Sequence, residues 1–169
     1  MEEFDYKTYA VLRKKGYELE KEIGRGTFGR VFKGYKYSKG SKMDLKPTSS
    51  RLKAKNKAKS KVKSYEGRKI IVAVKMITLD AMSDYVRQYY LPRELEALIL
   101  IHHKYVVRLY DIMRVDNKLF IAMEFAGNGD LAYYVSANGK LPEAKASKWF
   151  GQTTQALAFV HQEYRIAHR

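Results

Sequence analysis

The 169-residue chain has no cysteine and is poor in acidic side chains, with 18 Asp and Glu against 33 Lys and Arg. Without cysteine, disulfides and thiolate metal sites are excluded, which suits a reducing compartment. Long hydrophobic runs are also missing. The densest, Ala97-Leu98-Ile99-Leu100-Ile101, is far too short to cross a bilayer. The start, Met1-Glu2-Glu3-Phe4-Asp5, is acidic and lacks the apolar stretch of a secretory signal. A protein of the cytoplasm or nucleus, with no membrane span, is the default expectation. No internal repeat is present. A chain of this length is ordinarily one domain, able to bury a core without covalent staples.

The shortage of acid gives a net charge of +15, which suggests nucleic-acid binding until it is mapped. Residues 36–69 hold thirteen Lys and Arg against Asp44 and Glu66, a local net of +11 that leaves only +4 elsewhere. Apolar density vanishes there, while Lys, Ser, Gly and Pro47 accumulate, so 36–69 reads as an exposed, disordered insertion. Arg51, Lys53, Lys55, Lys57, Lys59, Lys61 and Lys63 alternate with other residues and repel one another as helix or strand. No aromatic residue falls between Tyr37 and Tyr65 to stack on a base. A solvated loop is the simpler reading; the competing one is a weak tether for nucleic acid or an acidic partner.

Outside that segment the periodicities are regular. Residues 1–16 form a polar extension with a helix around Tyr6–Leu12. Tyr17–Glu20 and Val31–Tyr35 flank a glycine-rich turn, and together they predict a hairpin. Ile70–Ile77 is a continuous apolar run of strand length, hence a buried strand. Pro92 suits a first helical turn, and Leu91, Leu95, Leu98 and Ile99 share one face of the helix that follows. Strand signals recur at Val106–Met113 and Lys118–Phe125, around the turn Val115-Asp116-Asn117. A short helix from Asp130 to about Ala137 and a long one from Pro142 to about Gln162 close the chain. The long helix sets Ala146, Trp149, Phe150, Thr153, Ala156, Leu157 and Val160 on one side. The class is α+β: a small antiparallel sheet with one helix, then the opening of a helical lobe.

Two motifs carry chemistry. Gly24-Arg25-Gly26-Thr27-Phe28-Gly29-Arg30-Val31, preceded by Ile23, is a complete G-x-G-x-x-G-x-V loop. Dinucleotide-binding folds use the same glycine spacing, but there the loop opens a helix, whereas Val31-Phe32-Lys33 continues as strand. Glycines let a backbone approach phosphate oxygens without a Cβ in the way; an ordinary hairpin turn is the alternative. Lys75, late in Val72-Ala73-Val74-Lys75, would be costly to bury without an anion to accept it. Nucleotide phosphates and Glu94 are the candidates, and a lysine exposed at a strand edge is the bland alternative.

In order and type these residues resemble the protein kinase family, over residues 17–35 and 70–169. The resemblance implies a kinase-like small lobe with its hinge over 17–126, and the start of the helical lobe over 127–169. Lys75 and Glu94 would be the catalytic ion pair. Gly24, Arg25, Gly26, Thr27, Phe28, Gly29 and Arg30 would form a flap whose backbone N–H groups lie over ATP phosphates. Ile23, Val31, Ala73 and Met123 match the adenine walls, with Met123 as gatekeeper. Glu124-Phe125-Ala126 matches the hinge, and Asp130 the carboxylate that reaches the ribose, although Asp130 could simply cap a helix. Leu98 and Leu109 match the apolar stack that links the lobes, and His168 its base. Leu91-Pro92-Arg93-Glu94, His103-Lys104, Gly129-Asp130-Leu131 and Ile166-Ala167-His168-Arg169 look most like the calmodulin-dependent kinase group, within it the testis-specific serine kinases.

The expected function is therefore phosphoryl transfer from ATP to protein serine or threonine, with ATP and Mg²⁺ implied. The family's catalytic aspartate, magnesium ligands and much of its substrate surface follow the residue matching Arg169. No metal ligand is expected within 1–169, and this stretch is expected to be inactive by itself. The alternative is a catalytically dead binding or scaffold protein, with Trp149, Phe150 and Leu157 partly exposed.

Overall fold

A computed structural model describes residues 6–27, 29–38 and 69–167. Their order is α1 (Tyr6–Lys14), β1 (Tyr17–Gly26), β2 (Gly29–Tyr37), β3 (Lys69–Thr78), α2 (Leu91–Leu100), β4 (Leu109–Val115), β5 (Lys118–Glu124), α3 (Leu131–Asn138) and α4 (Glu143–Tyr164). The five strands form one sheet in the order β1-β2-β3-β5-β4, and every neighbouring pair is antiparallel.

The apolar run of β3 reads as continuous because both of its faces are covered. Val72, Val74 and Met76 join Tyr17, Leu19, Phe32, Met113 and Phe120 in one buried cluster, which Leu12 of α1 completes. Ile77 joins Leu119 and Ile121 in a second cluster, closed by Leu79, Met82 and Leu91, with Leu95, Leu98, Leu109 and Met123 packed against it. The sheet is thus sandwiched between α1 and α2. Since Cβ direction alternates along a strand, Ala73 and Lys75 share the α2 face with Ile77.

Residues 6–14, expected as part of an extension, are integral to the core. Thr8, Val11 and Leu12, at helical spacing, turn one face inward, with Thr8 and Leu12 buried. Lys7 Nζ reaches Asp116 in the β4–β5 turn at 2.7 Å. The segment hides this role because Lys7, Thr8, Arg13 and Lys14 are interspersed with its apolar residues.

Several boundaries differ from expectation. Strand β4 starts at Leu109, so Val106 and Val107 lie in the connection before it. A five-residue π-helical turn, Val86–Tyr90, precedes α2. Ile99, assigned to the packed face of α2, is 52% exposed. Leu91, Leu95 and Leu98 suffice to seat the helix, and Ile99 lies beyond the edge of their stripe. Segment 36–69 begins and ends as strand, because Tyr37 pairs with Lys69 and Lys36 with Ile70. Lys69 Nζ lies 4.4 Å from the centre of the Tyr35 ring. Disorder and charge readings for 39–68, and the roles of Phe28 and His168, lie outside the described residues.

Helix α4 is tied to the end of α2 by Tyr164, whose hydroxyl donates to the Leu100 carbonyl at 2.9 Å. His103 stacks on Phe159 with ring centres 5.0 Å apart. Leu157 is exposed, and Phe150 is 75% exposed. None of the helices among the described residues is long and apolar enough to cross a membrane.

Candidate nucleotide-binding cleft

Register places the candidate residues. Val31 of β2 stands opposite Lys75 of β3, which stands opposite Ile121 of β5. One step along, Lys33 faces Ala73, and Ala73 faces Met123. Directly paired residues point to the same side of a sheet. Val31, Ala73, Lys75 and Met123 therefore form one surface beneath the hairpin, on the side where α2 packs.

Helix α2 brings Glu94 to that surface. Leu91, Leu95 and Leu98 hold its inner face on the sheet, and Pro92 sits in its first turn. Glu94, also in the first turn, is favoured there by the helix dipole. Its Oε1 lies 3.5 Å from Lys75 Nζ, with the two side chains 54% and 39% exposed. Lys75 is less buried than its place in an apolar strand suggests, because the surface beneath the hairpin is open. An ion pair this exposed stabilises the fold by about 1 kcal/mol at most. Its consequence is positional: the ammonium is held below the hairpin. Next to Glu94 is a 290 Å³ cavity lined by Met82, Val86, Tyr90 and Leu91.

The three loop glycines are not equivalent. A Cβ on Gly29 would stand 1.9 Å from the Met76 carbonyl oxygen, so this glycine is demanded by the close approach of β2 to β3. A Cβ on Gly24 would meet only Val31 Cβ, at 3.9 Å, and one on Gly26 would meet nothing within 4 Å. Nothing among the described residues needs those two to be glycine. They leave the hairpin backbone bare on the Val31 side, where a phosphate could approach.

Arg25 and Arg30, counted among the nucleotide-contacting candidates, direct their guanidinium groups to Glu22, a residue the motif reading missed. Bonding to Arg25 holds the Glu22 carboxyl below the usual carboxylate range. The signal was legible only in part: a carboxylate three residues before an arginine is visible, but its side of the strand is not. Thr27 is exposed at the hairpin tip, and Ile23 is exposed just before the glycines.

At the far edge, the Glu124 amide donates to the Arg108 carbonyl at 2.8 Å, and its side chain accepts from the Arg108 amide at 3.3 Å. This fixes the end of β5, after which Phe125 and the exposed Ala126 lead away. A Cβ on Gly127 would come within 3.1 Å of the Phe125 ring. Asp130 caps α3, its carboxylate accepting from the Tyr133 amide at 2.7 Å. The capping role is thus present, and the other carboxylate oxygen remains for a further contact. Among the described residues no group of three His, Asp or Glu side chains is placed to hold a metal ion.

A five-stranded antiparallel sheet with a glycine hairpin at one edge, and a strand lysine facing a helix glutamate, define the small-lobe class of protein-kinase-like folds. The chain belongs to the protein kinase family, whose protein kinase domain profile matches residues 58–169. The hairpin lies before that span but within the longer alignments to individual kinases. Testis-specific serine/threonine-protein kinase 4 of Homo sapiens is 27% identical over 161 residues, 95% of this chain and 40% of that protein. Testis-specific serine/threonine-protein kinase 1 of Mus musculus is 31% identical over 162 residues, 95% of this chain and 36% of that protein. Serine/threonine-protein kinase kin-29 of Caenorhabditis elegans is 38% identical over 98 residues, 58% of this chain and 12% of that protein. The likeness to testis-specific kinases agrees with the motif reading. The chain spans well under half the length of these relatives.

Proposed function

We propose that this stretch is the nucleotide-binding part of a serine/threonine protein kinase, which transfers the γ-phosphoryl group of ATP to a serine or threonine hydroxyl. The observation that carries the reading is Lys75 Nζ held 3.5 Å from Glu94 beneath a hairpin whose Gly24 and Gly26 are bare. In this reading, Ile23, Val31, Ala73 and Met123 enclose the adenine. The backbone at Glu124 and Ala126 meets its polar edge. Asp130 offers its second carboxylate oxygen to the ribose. The hairpin amides and Lys75 hold the phosphates, so that charge developing in transfer meets fixed donors. The family generally works with ATP and Mg²⁺; magnesium, when bound, offsets phosphate charge.

Titration of the 169-residue chain with ATP and with adenosine tests this reading. Wild type should bind both, and Lys75→Met should weaken ATP by about tenfold, roughly 1.4 kcal/mol, with adenosine unaffected. Failure of the wild type to bind ATP, or indifference to Lys75→Met, would refute it. That outcome would favour a binding or scaffold role, for which the exposed Phe150, Leu131 and Tyr133 are the supporting observation.

A further inference from the structure

The glycine hairpin carries a charge arrangement that its motif does not call for. Arg25 and Arg30 stand directly opposite each other across β1 and β2. Like charges in that position repel. Glu22 answers both. Its Oε1 accepts from Arg25 Nε at 3.0 Å, and its Oε2 accepts from Arg25 Nη2 at 3.3 Å and from Arg30 Nη1 at 3.5 Å. The contact with Arg25 is a two-point fork, which fixes direction as well as distance.

A regular strand could not make this contact. Residues 22 and 25 are an odd number apart, so they would point to opposite faces. The register shift between Glu22 and Gly24 inserts one extra residue at Ile23. Glu22 is thereby brought opposite Phe32, on the face shared by Arg30 and Arg25. Arg30 extends over the Phe32 ring, 5.3 Å from its centre, and its side chain is only 17% exposed. The three charges lie on the outer face of the hairpin, opposite the side where Val31 and Lys75 face the cleft. Among the described residues, strand β1 is at the sheet edge, paired with β2 alone. Its last turn has, among those same residues, bare glycines at Gly24 and Gly26 and no buried side chain to anchor it.

We propose that Glu22 is a positioning residue for the phosphate-binding backbone: it clips Arg25 and Arg30 together on the outer face, holding Gly24–Gly26 over the cleft and turning the Arg25 guanidinium away from the phosphates. The proposal rests on the reading of this cleft as an ATP site. The bulge at Ile23 is what makes it possible.

The test compares wild type, Glu22→Gln and Glu20→Gln in the 169-residue chain. Glu20 is the control: it pairs with Lys33 at 3.0 Å on the same strand without touching the loop. Each protein is titrated with ATP and adenosine, melted, and digested briefly with trypsin, with cleavage after Arg25 followed by mass spectrometry. Glu22→Gln should weaken ATP binding about three- to fivefold, the loss expected from a small ion-pair cluster. Adenosine binding should stay at the wild-type value, melting should drop no more than it does in Glu20→Gln, and cleavage after Arg25 should speed up by a similar factor. Glu20→Gln, which also loses one exposed ion pair, should match wild type in ATP binding, adenosine binding and cleavage. Unchanged ATP affinity and cleavage in Glu22→Gln would overturn the proposal. Equal weakening of ATP and adenosine with a lower melting temperature would overturn it too, by showing a general loss of stability. If wild type binds no ATP, the reading of the cleft fails separately, and cleavage after Arg25 still decides whether Glu22 holds the loop.

Discussion

Replacing the loop glycines one at a time separates what the fold requires from what a ligand requires. At Gly29, an alanine Cβ would lie 1.9 Å from the Met76 carbonyl oxygen and 2.9 Å from its carbon, where ordinary contact begins near 3.4 Å. The obstacle is backbone, so β2 and β3 must part by more than an ångström along paired residues. Overpacking of this kind costs about 1–3 kcal/mol, and an immovable partner places Gly29→Ala at the upper end. For a domain of this size that lowers Tm by about 6–12 °C. Gly26→Ala meets nothing within 4 Å, and its backbone is outside the left-handed region. Its stability should hold or rise by up to about 1 kcal/mol, since alanine narrows the unfolded ensemble. The added methyl group stands where phosphates approach, so ATP affinity should fall by about tenfold, roughly 1.4 kcal/mol, with adenosine unaffected. Thermal melts and nucleotide titrations of both variants check this. Equal melting of Gly29→Ala and wild type, or a Gly26→Ala that loses as much stability as Gly29→Ala, would refute the division.

Leu12→Ala should destabilise by about 2–4 kcal/mol in a denaturant titration, because α1 completes a core cluster; Lys7→Ala, which removes an exposed pair, should change stability by less than about 0.5 kcal/mol. Asp130→Ala should cost about 1 kcal/mol through the lost cap, whereas Asn caps as well and Asp130→Asn should keep the stability. If Asp130→Asn also keeps full ATP affinity, the carboxylate has no ribose role. Lys33, bonded to it, holds the Glu20 carboxyl below its ordinary value of 4.5, and Arg25 does the same for Glu22. In the unfolded chain these groups take up protons first as the pH falls, so their contribution to stability is full above pH 4.5 and is lost as pH drops through the depressed folded values. Tm measured against pH should therefore fall less steeply on the acid side in Glu20→Gln/Glu22→Gln than in wild type.

The sequence by itself determined the strands and the main helices. The run Ile70–Ile77 reads as a buried strand, Leu91, Leu95 and Leu98 give one helical face, and the loop glycines mark a hairpin because Val31-Phe32-Lys33 continues as strand. These are local or periodic signals, written into consecutive residues. Tertiary structure alone decided three other matters. Helix α1 belongs to the core because the sheet has a second face to cover, which the polar segment 6–14 does not announce. Gly29 is a packing glycine while Gly24 and Gly26 are bare, since only the β2–β3 pairing puts a carbonyl where a Cβ would go. Glu22 meets Arg25 and Arg30 because a bulge at Ile23 reverses strand parity. Side-chain direction in a sheet depends on cross-strand register, and register is a property of two segments at once, so no single stretch of sequence contains it.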